Sequence, residues 1–480
     1  MPIETQSLSN GQNGSRIYQN ILFISVSALL IWLPLPSGSN SVWASAWFCF
    51  WVFCCGAAAV IGVGYRKLSV TPVFVKVRWF HGLFLACLLL IGLQCVDLPE
   101  GWVQVLSPKA WALHHQAAEV LNIPVTWMPL SLDVEASRRT FLLSVAYYGL
   151  FCLLLLLVNS PKKLEQLAWI LIISGTFQAV FGVLSTLSGA EVLLFSEKTS
   201  YFGVATGTFV NRNSFAGYLE MTLAVGVGLL VSRLSQQRLA GWKQRLQQII
   251  TVLMSSKVLL RGALVMMVIA LVVSRSRMGN TAFFSSLLIT GFLYVVLRKK
   301  WNRSLLFLLG SMLVIDMAIV SQWFGIEKVM ERLEQTSMER ESRPDVAHVI
   351  TEMIQDFPLT GTGGGTFYTA LPMYHNGSWQ GFYDLAHNDF LQFALEFGLP
   401  AFLCFAGMVL FAVVLSVQSI RYRKKNVMAG IGFASLMGIL AIMMHSLVDF
   451  NLQIPANAAT FVCLMALACL ARYGFSDNRR

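Results

Sequence analysis

The chain has 480 residues, of which 56% are hydrophobic and only 12% charged, with a formal net charge of +11. A soluble domain carries about twice that share of charge, so a string of soluble domains is excluded. A nucleic-acid footprint is excluded as well, because the lysines and arginines sit in short loops between apolar runs.

About 20 mostly apolar residues are needed for a helix to cross the hydrocarbon. Hydropathy predicts twelve such spans, near 20–35, 43–64, 80–97, 139–158, 164–187, 213–232, 259–274, 281–298, 304–322, 388–418, 427–447 and 455–472. The expected fold is therefore an all-α integral membrane protein of about 12 transmembrane helices. Residues 1–19 are expected as a tail, 20–322 as spans one to nine, 323–386 as a large outer loop, 387–472 as the last three spans, and 473–480 as a second tail. Ala44-Ser45-Ala46 has the small-x-small pattern of a signal cleavage site. Pro34, Pro36 and two tryptophans surround it and more spans follow, so the first helix is read as uncleaved.

Sidedness follows from charge. With the N-terminus cytoplasmic, the inside segments hold 24 of the 35 lysines and arginines, including every short basic loop. A shift by one span would destroy that agreement, so both termini are expected in the cytoplasm. Two long segments then lie outside. Residues 98–138 carry Trp102, Trp111 and Trp127, which suit the membrane interface. In the larger loop, Val346, Val349, Ile350, Met353, Ile354 and Phe357 have the spacing of an amphipathic helix. Ser342 is placed to cap it, with Pro344 and Asp345 in its first turn, and Gly361–Gly365 follow as a flexible turn. The nine cysteines lie in apolar stretches without a CxxC pair, as small packing residues do.

Four polar clusters face outward on this topology: Thr208–Asn213 at the mouth of the sixth span, Ser274–Arg277 between the seventh and eighth, His387-Asn388-Asp389 entering the tenth, and His445-Ser446 with Asp449 and Asn451 closing the eleventh. Arginine is the informative residue. The positive-inside bias disfavours it in short outer turns, yet Arg275 and Arg277 share one, and Arg212 opens an otherwise apolar helix. Guanidinium groups offer planar forks of donors that match phosphate oxygens, although snorkelling to lipid phosphates explains lone arginines too. His387, at a helix entrance on the same face, is a candidate general base. His445 and Asp449, four apart, are expected to touch on one helical face as a structural contact.

The remaining signals are weaker. Asn388, Gln392 and Glu396 stripe the tenth span, and Asn213 and Glu220 the sixth, as helices bordering a shared polar cavity would, or as helix-to-helix hydrogen bonding would. The Gly361–Gly365 turn could offer backbone N–H groups to an anion, but reads more simply as a loop. Adjacent His114 and His115 point about 100° apart on a helix, which is poor for one metal ion. Glu341 and Arg343 read as a solvated charge run. No Walker A, HExxH, paired CxxC or acidic metal triad is present, so neither a metal nor another cofactor is expected. A transporter remains open on span count, but transport sites lie near the midplane, whereas these clusters gather at one mouth.

In order along the chain, the residues Gly207-Thr208-Phe209-Val210-Asn211-Arg212-Asn213-Ser214-Phe215-Ala216-Gly217-Tyr218, Ser274-Arg275-Ser276-Arg277-Met278-Gly279, Asp356-Phe357-Pro358 with Gly361–Phe367, His387-Asn388-Asp389-Phe390-Leu391-Gln392 and His445-Ser446-Leu447-Val448-Asp449-Phe450 resemble the O-antigen ligase/polymerase superfamily of bacterial inner-membrane glycosyltransferases. The resemblance covers roughly residues 135–470. It implies a GT-C-like helical fold acting at the periplasmic face without nucleotide or metal, on a glycan carried by undecaprenyl diphosphate. It implies that Arg212 and either Arg275 or Arg277 engage the diphosphate, and that His387 activates or orients the acceptor hydroxyl for inverting attack. Asn211, Asn213, Asn388, Arg343, His445 and Asp449 are then supporting candidates. The long loop before His387 departs from the pattern of simple lipid A-core ligases and is shared with polysaccharide polymerases and protein O-oligosaccharyltransferases. The implied acceptor is lipid A-core or a growing polysaccharide, with protein glycosylation as the alternative and a glycolipid flippase as the rival of another class. Membrane lipids, and no nucleic acid, complete the expected partners.

Overall fold

The computed structural model describes residues 3–124, 126–233, 256–299, 310, 343–375 and 383–475. Its helices are α1 (Ile3–Trp32), α2 (Val42–Gly64), α3 (Pro72–Lys76), α4 (Arg78–Leu93), α5 (Glu100–Leu106), α6 (Pro108–Leu121), α7 (Val134–Leu157), α8 (Pro161–Leu187), α9 (Arg212–Ser232), α10 (Ser256–Val273), α11 (Arg277–Arg298), α12 (Arg343–Asp356), α13 (Phe367–Ala370), α14 (Asp389–Tyr422), α15 (Asn426–His445) and α16 (Pro455–Tyr473). Among the described residues nine helices are long and apolar enough to cross a membrane, and α4 and Val258–Val273 are shorter apolar helices beside them. The protein is an all-α multi-pass membrane protein. The span expected at 304–322 lies outside the described residues except for Gly310, as do 323–342, 376–382 and most of the 233–261 loop.

Local chemistry sets the helix ends. Asp133 accepts from the N–H groups of Glu135 and Ala136 at the start of α7, and Ser160 accepts from Lys163 at the start of α8 with Pro161 beside it. α7 thus begins ahead of the expected 139. α1 starts within the expected tail, at Ile3, and stops before Pro34 and Pro36, which lack the N–H needed to continue it. The segment 98–138 holds α5 and α6, closed at its base by a short antiparallel ribbon of Leu98–Pro99 with Trp127–Met128.

α9 is the axis of the bundle, with every residue from Ser214 to Ser232 buried. Against α15 it packs through small residues: a Cβ on Gly228 would meet the carbonyl oxygen of Gly430, and one on Gly430 would meet that of Gly228. Such close approach is how helices associate where lipid removes the hydrophobic drive.

α14 is bent rather than continuous. At 34 residues it would run about 50 Å if straight, but Gly398 (φ 75°, ψ 160°) breaks it and Pro400 removes a further donor. The glycine turn takes up the freed carbonyls. Thr362 N–H donates to Leu395 O at 2.9 Å and Gly363 N–H to Glu396 O at 3.0 Å. Gly365 N–H and Phe367 N–H donate to the Glu396 carboxylate at 2.9 and 3.2 Å. The anion that this turn holds is therefore a side chain of the chain itself. Gln94 at the end of α4 joins in, donating to Thr360 O and Glu396 O and accepting from Gly364 N–H. Against the N-terminal half of α14 rests the amphipathic α12, with Val346, Val349, Ile350 and Met353 buried together with Phe367, Leu371 and Leu395. The predicted stripe on α12 is thus its packed face, while the proposed cap Ser342 lies outside the described residues.

Candidate active site

The approach to α9 anchors the first cluster. Thr208 is fully buried, its N–H and hydroxyl on Gln178 Oε1 at 2.9 and 3.1 Å and its hydroxyl also on Pro34 O at 2.6 Å. Phe209 is buried against Phe215 and Tyr218. With Thr208 and Phe209 held, Asn211 caps α9, accepting from Asn213 N–H at 2.7 Å, and Arg212 becomes the first helical residue. Arg212 stacks on the ring of Tyr201, 5.6 Å from its centroid, and its buried Nε has no hydrogen-bond partner among the described residues. Arg212 lies within electrostatic reach of Arg275, Arg277 and Asp449.

The second cluster is a tight turn between α10 and α11. Arg275 is half-buried in the left-handed region (φ 53°), a conformation non-glycine residues adopt at a cost. Ser276 caps α11, accepting from Gly279 N–H at 3.2 Å, which makes the exposed Arg277 its first residue. The structure brings both arginines towards Arg212 and singles out neither.

His387 precedes α14, also at positive φ (50°). Its Nδ1 is 3.8 Å from Asp449 Oδ1, and its ring meets Phe450 edge-on at 4.7 Å between centroids. The α14 stripe builds the platform beneath it: Glu396 accepts from Gln392 at 3.1 Å, and Gln392 accepts from Ala386 N–H at 3.0 Å, next to the histidine. Asn388 caps α14, accepting from Leu391 N–H at 3.1 Å, and donates to Leu447 O at 2.9 Å. Its role is to fix the helix start against the turn after α15. Asn213 donates to Asp449, so that carboxylate joins the α9 cluster to His387.

One expected contact is different. α15 ends at His445, so Asp449 lies beyond the helix and the four-residue spacing does not place the two side chains on one helical face. His445 Nδ1 instead meets Glu220 Oε1 of α9 at 2.7 Å, both side chains fully buried. Arg343 opens α12, and its side chain lies outside the described residues. His115 pairs with Glu100 at 2.7 Å, whose carboxyl is held below its usual range by hydrogen bonds from His115 and Trp111. His114 is turned elsewhere, and burial pulls its imidazole below the usual range. Among the described residues no group of histidine, cysteine and carboxylate side chains could hold a metal ion.

Beside His387 opens a pocket of about 290 Å³, lined by Ser37, Asn40, Tyr201, Phe209, Val210, Asn211, Ser214, Asp384, Leu385, His387, Phe450 and Ile454. The size is near the lower end for a small-molecule site. Arg212 borders it through Asn211 and Tyr201. Tyr201 escapes sequence reasoning, since a lone aromatic in the loop before α9 carries no signal except the arginine it stacks on. Three helices, α9, α11 and α14, begin at this site, and the partly positive ends of their dipoles add to three guanidinium groups. Asp449 lies within electrostatic reach of Arg212 and Asp384 lines the pocket, so both signs of charge meet at this site, with the three arginines favouring an anionic ligand.

Residues 262–406 match the family model of the O-antigen ligase (Wzy_C). That match, over just under a third of the chain, supports the O-antigen ligase/polymerase superfamily. The matched segment carries Arg275, Arg277, Arg343, His387 and Asn388, and the match supports a ligase/polymerase-type function in general. Arg212, Glu220, His445 and Asp449 lie outside the match, and the fold brings Arg212 and Asp449 to the matched arginines and histidine. No curated protein matches the chain.

Proposed function

We propose that the protein transfers a glycan from undecaprenyl diphosphate to an acceptor hydroxyl, on lipid A-core or a growing polysaccharide, at the periplasmic face of the bacterial inner membrane. The observation that carries this reading is the convergence of Arg212, Arg275 and Arg277 beside a pocket lined by His387. The arginines would bind the diphosphate through charge-assisted hydrogen bonds and stabilise it as it leaves. His387, oriented by Asp449, would take the proton of the acceptor hydroxyl as its oxygen attacks the anomeric carbon, and attack opposite the leaving group inverts that centre. Every group in this sequence of steps belongs to the chain or the two substrates. The basic loops favour both termini in the cytoplasm, which sets the pocket outward.

Purified protein in detergent, given the lipid-linked glycan and the acceptor, is expected to form a glycosidic bond and release undecaprenyl diphosphate. Arg212→Ala and His387→Ala are expected to abolish the product while the protein still inserts. A flippase would move the lipid and form no bond. Single repeat units accumulating on deletion would mark a polymerase, and long unattached chains a ligase.

A further inference from the structure

Behind the pocket, the bundle encloses polar groups of which transfer as described above uses only Asp449. Glu220 lies about two turns below Arg212, roughly 12 Å along α9, and it and His445 are fully buried against each other. Asp389 and Asp449 are buried as well, Asp389 accepting from Ser446 Oγ at 2.6 Å and Leu452 N–H at 3.0 Å. Both lie within electrostatic reach of His445, and Asp449 also reaches Glu220. The backbone of α11 backs onto the pair, since a Cβ on Gly279 would come 3.1 Å from Glu220 Oε1.

A second observation is independent of charge. Glu220 Oε2, His445 Nε2, Asp389 Oδ1, Asn451 Nδ2 and Ser214 Oγ are buried without a hydrogen-bond partner among the described residues. Buried polar atoms are almost always paired, with protein or with water, so a group of open ones marks enclosed water. Ser214 is one of these residues and also part of the pocket wall. The charged groups nearby are Arg212 on α9, Arg275 and Arg277 before α11, and His387 before α14, while α16 contributes only the polar Asn457 and Thr460. Three carboxylates sealed together cannot all ionise cheaply, so such a cluster shares protons among its members.

We propose that Glu220, His445, Asp389 and Asp449 form an internal proton store that receives, through enclosed water, the proton His387 takes from the acceptor. The proposal rests on the glycosyl-transfer reading. In that step the acceptor O–H bond breaks and its proton goes to His387. The oxygen's electron pair forms the bond to the anomeric carbon, and the bond from that carbon to the diphosphate oxygen breaks with its pair on the leaving group. The imidazolium then hands its proton to the store, which returns it to the diphosphate product or to bulk water before the next turnover.

The test compares full-length protein in lipid nanodiscs with its Glu220→Gln and His445→Gln variants, using a polyprenyl-diphosphate glycan and a soluble acceptor. Glu220→Gln keeps the shape and a hydrogen bond to His445. The expected result is a kcat lowered by about a hundredfold, with both KM values within about twofold and a displaced kcat–pH profile. A kcat within about twofold of wild type and an unmoved pH profile would overturn the store and leave transfer standing. A wild-type protein that forms no glycosidic bond would overturn the transfer reading and the store with it. Infrared difference spectra of the wild-type protein across pH need no variant to fold: a buried protonated-carboxyl band that titrates supports the store, and its absence overturns it.

Discussion

Asp449→Asn isolates the electrostatic support of His387. The substitution keeps the side-chain shape and an acceptor for Phe450 N–H, replaces the oxygen that accepts from Asn213 by an NH2 group, and removes one negative charge 3.8 Å from His387 Nδ1. A unit charge at that distance and an effective dielectric near 20 is worth about 4 kcal/mol to an imidazolium. The histidine side chain is 21% exposed and the carboxylate 3%, so solvent screening is taken to halve that figure. About 2 kcal/mol remains, close to a thirtyfold loss of rate. Because His387 is neutral before it takes the proton, the loss belongs to kcat and leaves the acceptor KM unchanged. Initial rates of transfer by purified variants, with acceptor varied at saturating donor, measure both constants. A variant within twofold of wild type, or one altered only in KM, would refute the assignment of Asp449 as the group that orients and charges His387.

Removing Arg275 or Arg277 is expected to raise the donor KM by about ten- to a hundredfold, as the loss of a charged hydrogen bond does, with lysine restoring part of it; titration of donor against each variant decides which arginine matters more. Gly363→Ala forces a Cβ onto a residue at φ 111° and into the hydroxyls of Ser131 and Ser137, so a loss of about 1–3 kcal/mol is expected in thermal unfolding. Burial holds His114 below its usual range, so the unfolded segment binds the extra proton and local stability, present above about pH 6.5, falls as pH drops through that value. Hydrogen exchange across residues 108–131 at pH 7.5 and 5.5, expressed as protection factors corrected for the slower intrinsic amide exchange at lower pH, checks the sign: smaller protection factors at the acid pH are expected.

The helices were legible because a membrane solvent leaves few alternatives: an apolar run of sufficient length has to satisfy its own backbone. The one cap read from the sequence, Ser342, lies outside the described residues, and the caps at the site, Asn211, Ser276 and Asn388, were not read as such. Nor were the pairings legible. Glu220 and His445 are 225 positions apart, and nothing local in either stretch indicates the other. The spacing of His445 and Asp449 suggested a shared helical face, but the helix stops at the histidine and releases the aspartate to Asn213 and His387. The glycine turn suited an anion by its backbone, and the anion is Glu396, freed from ordinary helix packing by the bend at Gly398. Arg212 and His387 were found as outliers in cost, a cation and a titratable ring at membrane mouths. Tyr201 carried no such cost and was missed.

The central claim is that separate stretches of chain meet at one extracytoplasmic site that grips a lipid diphosphate. Single cysteines at 212 and 387, in a background with the nine native cysteines replaced, test it directly in intact spheroplasts with a membrane-impermeant thiol reagent. Both positions are expected to label from outside. Labelling of either position only after the membrane is opened to the cytosol would contradict it.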